Sequence, residues 1–231
     1  MRILTANTQD ESLLQEVRED LAKEQISIPT GFEAKLPWFA PKFHISSNLS
    51  DYFFRATPII ISDLPNRNGV AFPLQALVEW NSDLHCQAYE GWKYCPMFEE
   101  HRSDDITTAI GAVADVTLRK LKGYANDQLW VLIALAAIDR TKNRELAGKY
   151  ESGDINTVSM GAMVDYWTCS YCGAPEGKCS HIDPSRDVTF YELNGKLVFK
   201  NVYGVSPYEL SVVKDPAYGV AVGSNNKLIY T

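Results

Sequence analysis

Residues 109–121, AIGAVADVTLRKL, and residues 128–138, QLWVLIALAAI, lie on either side of the short polar stretch YAND at 124–127. The first segment partly alternates in polarity, the pattern of a strand with one covered face. The second is apolar almost throughout. That suits a strand buried on both faces, and by periodicity alone it also suits a buried helix. Reading both as strands, with YAND as their turn, sets a β-rich core. Outward from this pair, ATPIIISD (56–63) reads as a buried strand, PNRNG (65–69) as a turn and FPLQALVEW (72–80) as a short helix. TKNRELAGKYESG (141–153) reads as a helix that Gly153 stops. NTVSMGAMVDYW (156–167), DVTFYEL (187–193), KLVFKNVYG (196–204) and YELSVVKDPA (208–217) return to extended chain. With its few helices the expected class is α+β.

Upstream the pattern changes. Residues 10–25, DESLLQEVREDLAKEQ, read as a charged amphipathic helix with Leu13, Leu14, Val17 and Leu21 on one stripe. Residues 26–50 contain three prolines and exposed-looking aromatics such as Trp38 and Phe39, and read as an irregular arm or pro-segment. The expected organisation is an N-terminal helix and arm over 1–50, a main domain over 51–222 and a tail over 223–231.

At 231 residues the chain can bury an adequate core. Its net charge of −7, without a basic block, speaks against nucleic-acid binding. The longest apolar run, Leu129–Ile138, is far short of a membrane span. The N-terminus turns polar too early for a secretory signal. The expectation is a soluble intracellular protein.

Five cysteines, three of them crowded into 169–179, suit a metal site in a reducing compartment better than a disulfide framework. Cys169 and Cys172 form a C-x2-C pair, and Cys179 and His181 follow within the loop 167–183. Two thiolates on a tight turn can face one ion, and Gly173 gives that turn its backbone freedom. Four protein ligands close a tetrahedron and leave no open position, as in a structural zinc site rather than a catalytic one. The alternatives are three free cysteines beside a histidine, or a redox C-x-x-C, which lacks its usual βαβ setting here.

Two residues invite a catalytic reading. Ser159 lies in a strand-like stretch and His101 in the acidic loop MFEEHRSDD. A serine hydroxyl needs an imidazole to take its proton, and the imidazole needs a third group to fix its tautomer. Spacing alone does not bring the two together, and either could be an ordinary surface residue. His44 and His85 lack any partner at metal or catalytic spacing. Cys86 and Cys95 read as plain thiols, Asn66–Asn68 as a turn that could also line a cleft, and Trp80, Trp92 and Trp130 as core.

The stretch PMFEEHRSDDITTAIGAVADV (96–116) resembles the histidine motif of prohead proteases, the capsid-maturation serine proteases of tailed bacteriophages. Val158-Ser159-Met160-Gly161 is similar to the nucleophile strand of the large-phage branch, and the C-x2-C…C-x-H insertion after it is similar to one those enzymes carry. YELSVVKDPA (208–217) resembles the family's E-x-S-x-V-x-x-P-A segment, and PNRNG with Phe72-Pro73 resembles its N-x-N-G…(Y/F)-P stretch. The matches follow the family's order and cover about residues 56–222.

The resemblance implies a barrel-like β core of the herpesvirus assemblin type, with surrounding helices and a small zinc-binding insertion. It implies a serine endopeptidase with Ser159 as nucleophile, His101 as base and Glu209 as the third member. His181 ranks lower in that role, since a zinc ligand cannot also orient a base, and Asp154 and Asp165 are outside candidates. It further implies a structural zinc on Cys169, Cys172, Cys179 and His181, phage scaffold, core and capsid proteins as substrates, and action inside the assembling prohead in the host cytoplasm. Nucleic acid and membrane are not expected partners, and a homo-oligomer is compatible with the reading. Self-trimming is implied too, with Ala22-Lys23-Glu24 as the expected site. The rival reading is a non-enzymatic zinc-ribbon assembly or scaffold module in which Ser159 and His101 are bystanders.

Overall fold

Ten residues of near-continuous apolar chain, Trp130–Asp139, form a strand inside the sheet, paired along both edges. The computed structural model describes Gln15, Glu19 and residues 26–121, 128–182, 190–218, 221, 228 and 229. The helix expected over 10–25 lies outside the described residues except for Gln15 and Glu19, as do YAND and Ala22–Glu24.

In chain order the main elements are α1 (Thr30–Phe43), β1 (Tyr52–Ile61), β2 (Val70–Ala71), α2 (Leu74–Val78), β3 (Pro96–Glu99), β4 (Gly111–Lys120), β5 (Trp130–Asp139) and α3 (Arg144–Ser152). They are followed by β6 (Val158–Met163), β7 (Tyr166–Cys169), β8 (Tyr191–Leu193), β9 (Lys196–Val198), β10 (Lys200–Tyr203) and β11 (Ser206–Val212). Six strands make one sheet in the order β1-β5-β4-β3-β11-β6. Every pairing in it is antiparallel except β3 with β11. The sheet curls into a half-barrel, and its outer strands β1 and β6 approach without forming a ladder among the described residues. A smaller sheet, β7-β10-β2, stands beside it, and β8 and β9 form a hairpin.

Period-2 alternation explains why β5 is apolar on both sides. Ala134, Ala136 and Ile138 turn to the inner core with Val113, Met97, Leu146 and Tyr150. Leu135 and Ala137 turn to the outer face, where α1 covers them. The segment read as an irregular arm is therefore corrected: residues 30–43 are helical, and Phe32, Leu36, Phe39, Ala40 and Phe43 pack on the sheet at helical spacing. Trp38 does stay exposed. The helix expected at 141–153 is α3, capped by the Asn143 side chain and ended by Gly153. Trp92 is in the core as expected, whereas Trp80 is 62% exposed. No helix among the described residues is long and apolar enough to cross a membrane. The fold is mixed α and β with a curled half-barrel sheet.

Candidate active site and metal cluster

β11 runs between β3 and β6, so its side chains face two strands at once. Ser211 registers with Phe98 on β3 and with Ser159 on β6, and Glu209 registers with Gly161. Alternation places Glu209, Ser211, Ser159 and Gly161 on one face. Val158, Met160, Leu210 and Val212 turn to the inner core instead.

His101 reaches this face from the turn that ends β3. Glu100 and His101 have φ of 50° and 57°, two successive non-glycine residues in the left-handed region. Such conformations cost on the order of 1–3 kcal/mol each and persist where the surroundings impose them. Here the Glu100 N–H donates to Val212 O at 2.9 Å, and the Lys214 N–H to Glu100 Oε1 at 3.2 Å. His101 Nδ1 meets Glu209 Oε1 at 2.9 Å. The other carboxylate oxygen, Oε2, accepts from the Ser211 hydroxyl. Glu209 is 1% exposed, and a buried carboxylate needs such donors. It lies across the Gly161 backbone: a Cβ on Gly161 would sit 2.8 Å from Glu209 Cγ and 2.7 Å from Tyr208 Cζ.

The hydrogen bond that Glu209 accepts from His101 raises the His101 pKa above its ordinary value. Partial burial opposes the rise, and the charges of Glu209 and Glu100 add to it. The histidine side chain is 47% exposed, so the pair opens to solvent on one side. Ser159 is 9% exposed. Among the described residues its hydroxyl makes no hydrogen bond to His101. Thus His101 and Glu209 come together directly, and Ser159 stands one strand away on the same face. Asp154 accepts from the Ser152 hydroxyl, and Asp165 lies against Gly204. Neither bonds His101 among the described residues, nor does His181.

The four sulfur and nitrogen ligands gather at the end of β7. One ligand atom each from Cys169, Cys172, Cys179 and His181 lies within 4.8 Å of all the others. Cys172 Sγ and Cys179 Sγ are 3.6 Å apart, and Cys179 Sγ is 3.5 Å from His181 Nδ1. A tetrahedral ion with bonds of about 2.3 Å would set its sulfurs about 3.8 Å apart, close to these two separations, so the group could hold a metal ion. Gly173, at φ 71°, closes the C-x2-C turn by donating its N–H to Cys169 O at 2.8 Å. Burial pushes the Cys169 thiol up to about 11. At Cys179 burial acts the same way, but the N–H groups of Ile182 and His181 and the neighbouring thiols bring it down to about 6. The loop is pinned to the β8–β9 hairpin: Tyr191 Oη donates to His181 O at 2.7 Å, and Ser170 Oγ to Leu197 O at 3.0 Å.

Two residues of this candidate face, Ser211 and Gly161, were not singled out by sequence. The usable signal was the E-x-S spacing, which puts both side chains on one face of a strand. Compared with family models, with curated proteins and with solved structures, the chain matches none.

Proposed function

We propose that the protein is a serine endopeptidase that cuts scaffold, core and capsid proteins inside an assembling phage prohead. The observation that carries this reading is the His101–Glu209 hydrogen bond, formed on the strand next to the one that bears Ser159. A carboxylate at Nδ1 keeps the neutral ring's proton on that nitrogen and leaves the Nε2 lone pair to act as base. Ser159 Oγ bonds to the peptide carbonyl carbon while its proton passes to Nε2. Collapse of the tetrahedral oxyanion breaks the C–N bond, and the leaving amine takes the proton from Nε2. Water then repeats the sequence on the acyl-enzyme, releasing the acid and restoring the hydroxyl. Confinement in a prohead raises local substrate concentration, so modest affinity for each cleavage site suffices. Self-trimming after Glu24 belongs to the same reading.

The cysteine–histidine cluster holds a structural zinc in this reading. Four soft donors at tetrahedral spacing support that assignment. The same closed cluster favours the one rival, a zinc-bearing assembly module without catalysis.

A fluorophosphonate probe separates the two. Labelling of wild-type protein that disappears in Ser159→Ala, with the circular dichroism spectrum unchanged, is the expected result. Metal-loaded, folded wild-type protein that neither takes the probe nor cleaves a capsid substrate sinks the enzyme reading.

A further inference from the structure

We propose that Ser211 is the positioning residue of this site: its buried hydroxyl orients Glu209 toward His101 and shares the carboxylate's charge. The inference rests on the catalytic reading of His101 and Glu209, and it comes from three placements. Ser211 is fully buried in the middle strand of three, with Phe98 on one side and Ser159 on the other. Its hydroxyl goes to Glu209 Oε2, while Oε1 goes to His101. The carboxylate rests on Gly161, where no side chain competes for its place. A carboxylate held at both oxygens cannot pivot, so Oε1 stays in line with Nδ1.

The hydroxyl has an electrostatic effect as well. Oε2 is buried, and without a donor its charge would fall on the His101 imidazolium that can form beside it. Ser211 therefore tempers the pair and keeps His101 able to release its proton in the working range. Among the described residues, titratable groups that act on the pair include Glu100 beside His101, and Tyr208 and Cys95 beside Glu209. Tyr208 and Cys95 are neutral in that range, since their own burial, and after it Glu209, raises both.

The test uses Ser211→Thr and Ser211→Val in the full chain, two side chains of one shape that differ in the hydroxyl, with Ser211→Ala alongside. The His101 ring is titrated by NMR, and the pH profile of kcat and KM is measured on a capsid-protein substrate. The Val and Ala proteins should move the His101 midpoint up by about one pH unit, the scale of one hydrogen bond to a charged group. The acid limb of kcat should move with it, KM should stay, and Thr should keep wild-type behaviour. Equal midpoints in Thr and Val overturn the inference. The NMR readout does not depend on catalysis, so a wild type that neither cleaves nor labels would defeat the catalytic reading while the Ser211–Glu209–His101 coupling is still judged.

Discussion

A histidine tied to an inaccessible carboxylate has a definite pH signature. The Glu209 hydrogen bond raises the His101 pKa, so the neutral base is lost as pH falls through a midpoint above the ordinary value of about 6.5. Activity should therefore have an acid limb above that value. The stability contribution runs the other way: the charged pair is fully formed below about pH 6.5, and its contribution is lost as pH rises through the folded midpoint. Glu209→Gln should return the midpoint toward its ordinary value. It should also cut kcat by roughly 10⁴, as when a triad carboxylate becomes an amide, with the thermal transition retained. Full activity in that variant would place the third member elsewhere. Gly161→Ala should act on the same pair from the other strand, because the new methyl occupies the seat of the carboxylate. Its expected sign is a lowered His101 midpoint in a folded protein, and an unchanged midpoint would contradict that geometry. At this scale the sequence was only partly legible. The motif resemblance singled out Glu209, and the structure sets Glu209 against His101. Ser211 escaped because a serine two residues along a strand looks the same whether it faces water or a buried carboxylate.

At the scale of elements, the strands were legible from their alternation, and α3 from its cap and stop. Helix α1 was not, for a physical reason. Pro37 and Pro41 cannot donate to the carbonyls one turn back, which normally argues against a helix interior. Both prolines lie on the exposed side, four residues apart, where water can satisfy the freed carbonyls. The opposite side carries Phe32, Leu36, Phe39, Ala40 and Phe43 into the outer core, and that burial outweighs the two lost bonds. Phe39→Ala should accordingly cost about 3–5 kcal/mol in denaturant unfolding, the range for a truncated core phenylalanine. Trp38→Ala, one residue away and 78% exposed, should stay within about 0.5 kcal/mol. Similar small losses for both would mean that α1 does not belong to the cooperative core. The strand-or-helix ambiguity of β5 has the same root: periodicity cannot reveal that a helix roofs one face while an inner core fills the other.

Across the whole molecule, the cysteine cluster ties the end of β7 to the β8–β9 hairpin through Tyr191 and Ser170. Because metal-binding energy at a closed site is folding energy, a strong chelator should lower the melting temperature, and zinc should restore it. Freshly purified protein with well under one equivalent of metal would count against the assignment. The ligand spacing was readable from sequence because all four donors fall within one short loop. The candidate face was not, since His101, Ser159 and Glu209 come from three distant segments that only the sheet order brings together. That order also fixes when the face can exist during synthesis. The strand that carries Glu209 is the last of the six to be made, yet it fills the gap between two made earlier, the one that leads into His101 and the one that holds Ser159. A ribosome moving at about 5–20 residues per second spends several seconds between residue 159 and residue 212. Throughout that interval the growing chain carries a serine strand with no neighbour to pair with and a histidine with no carboxylate, so on the proposed reading a half-made chain has nothing with which to cut itself or its surroundings.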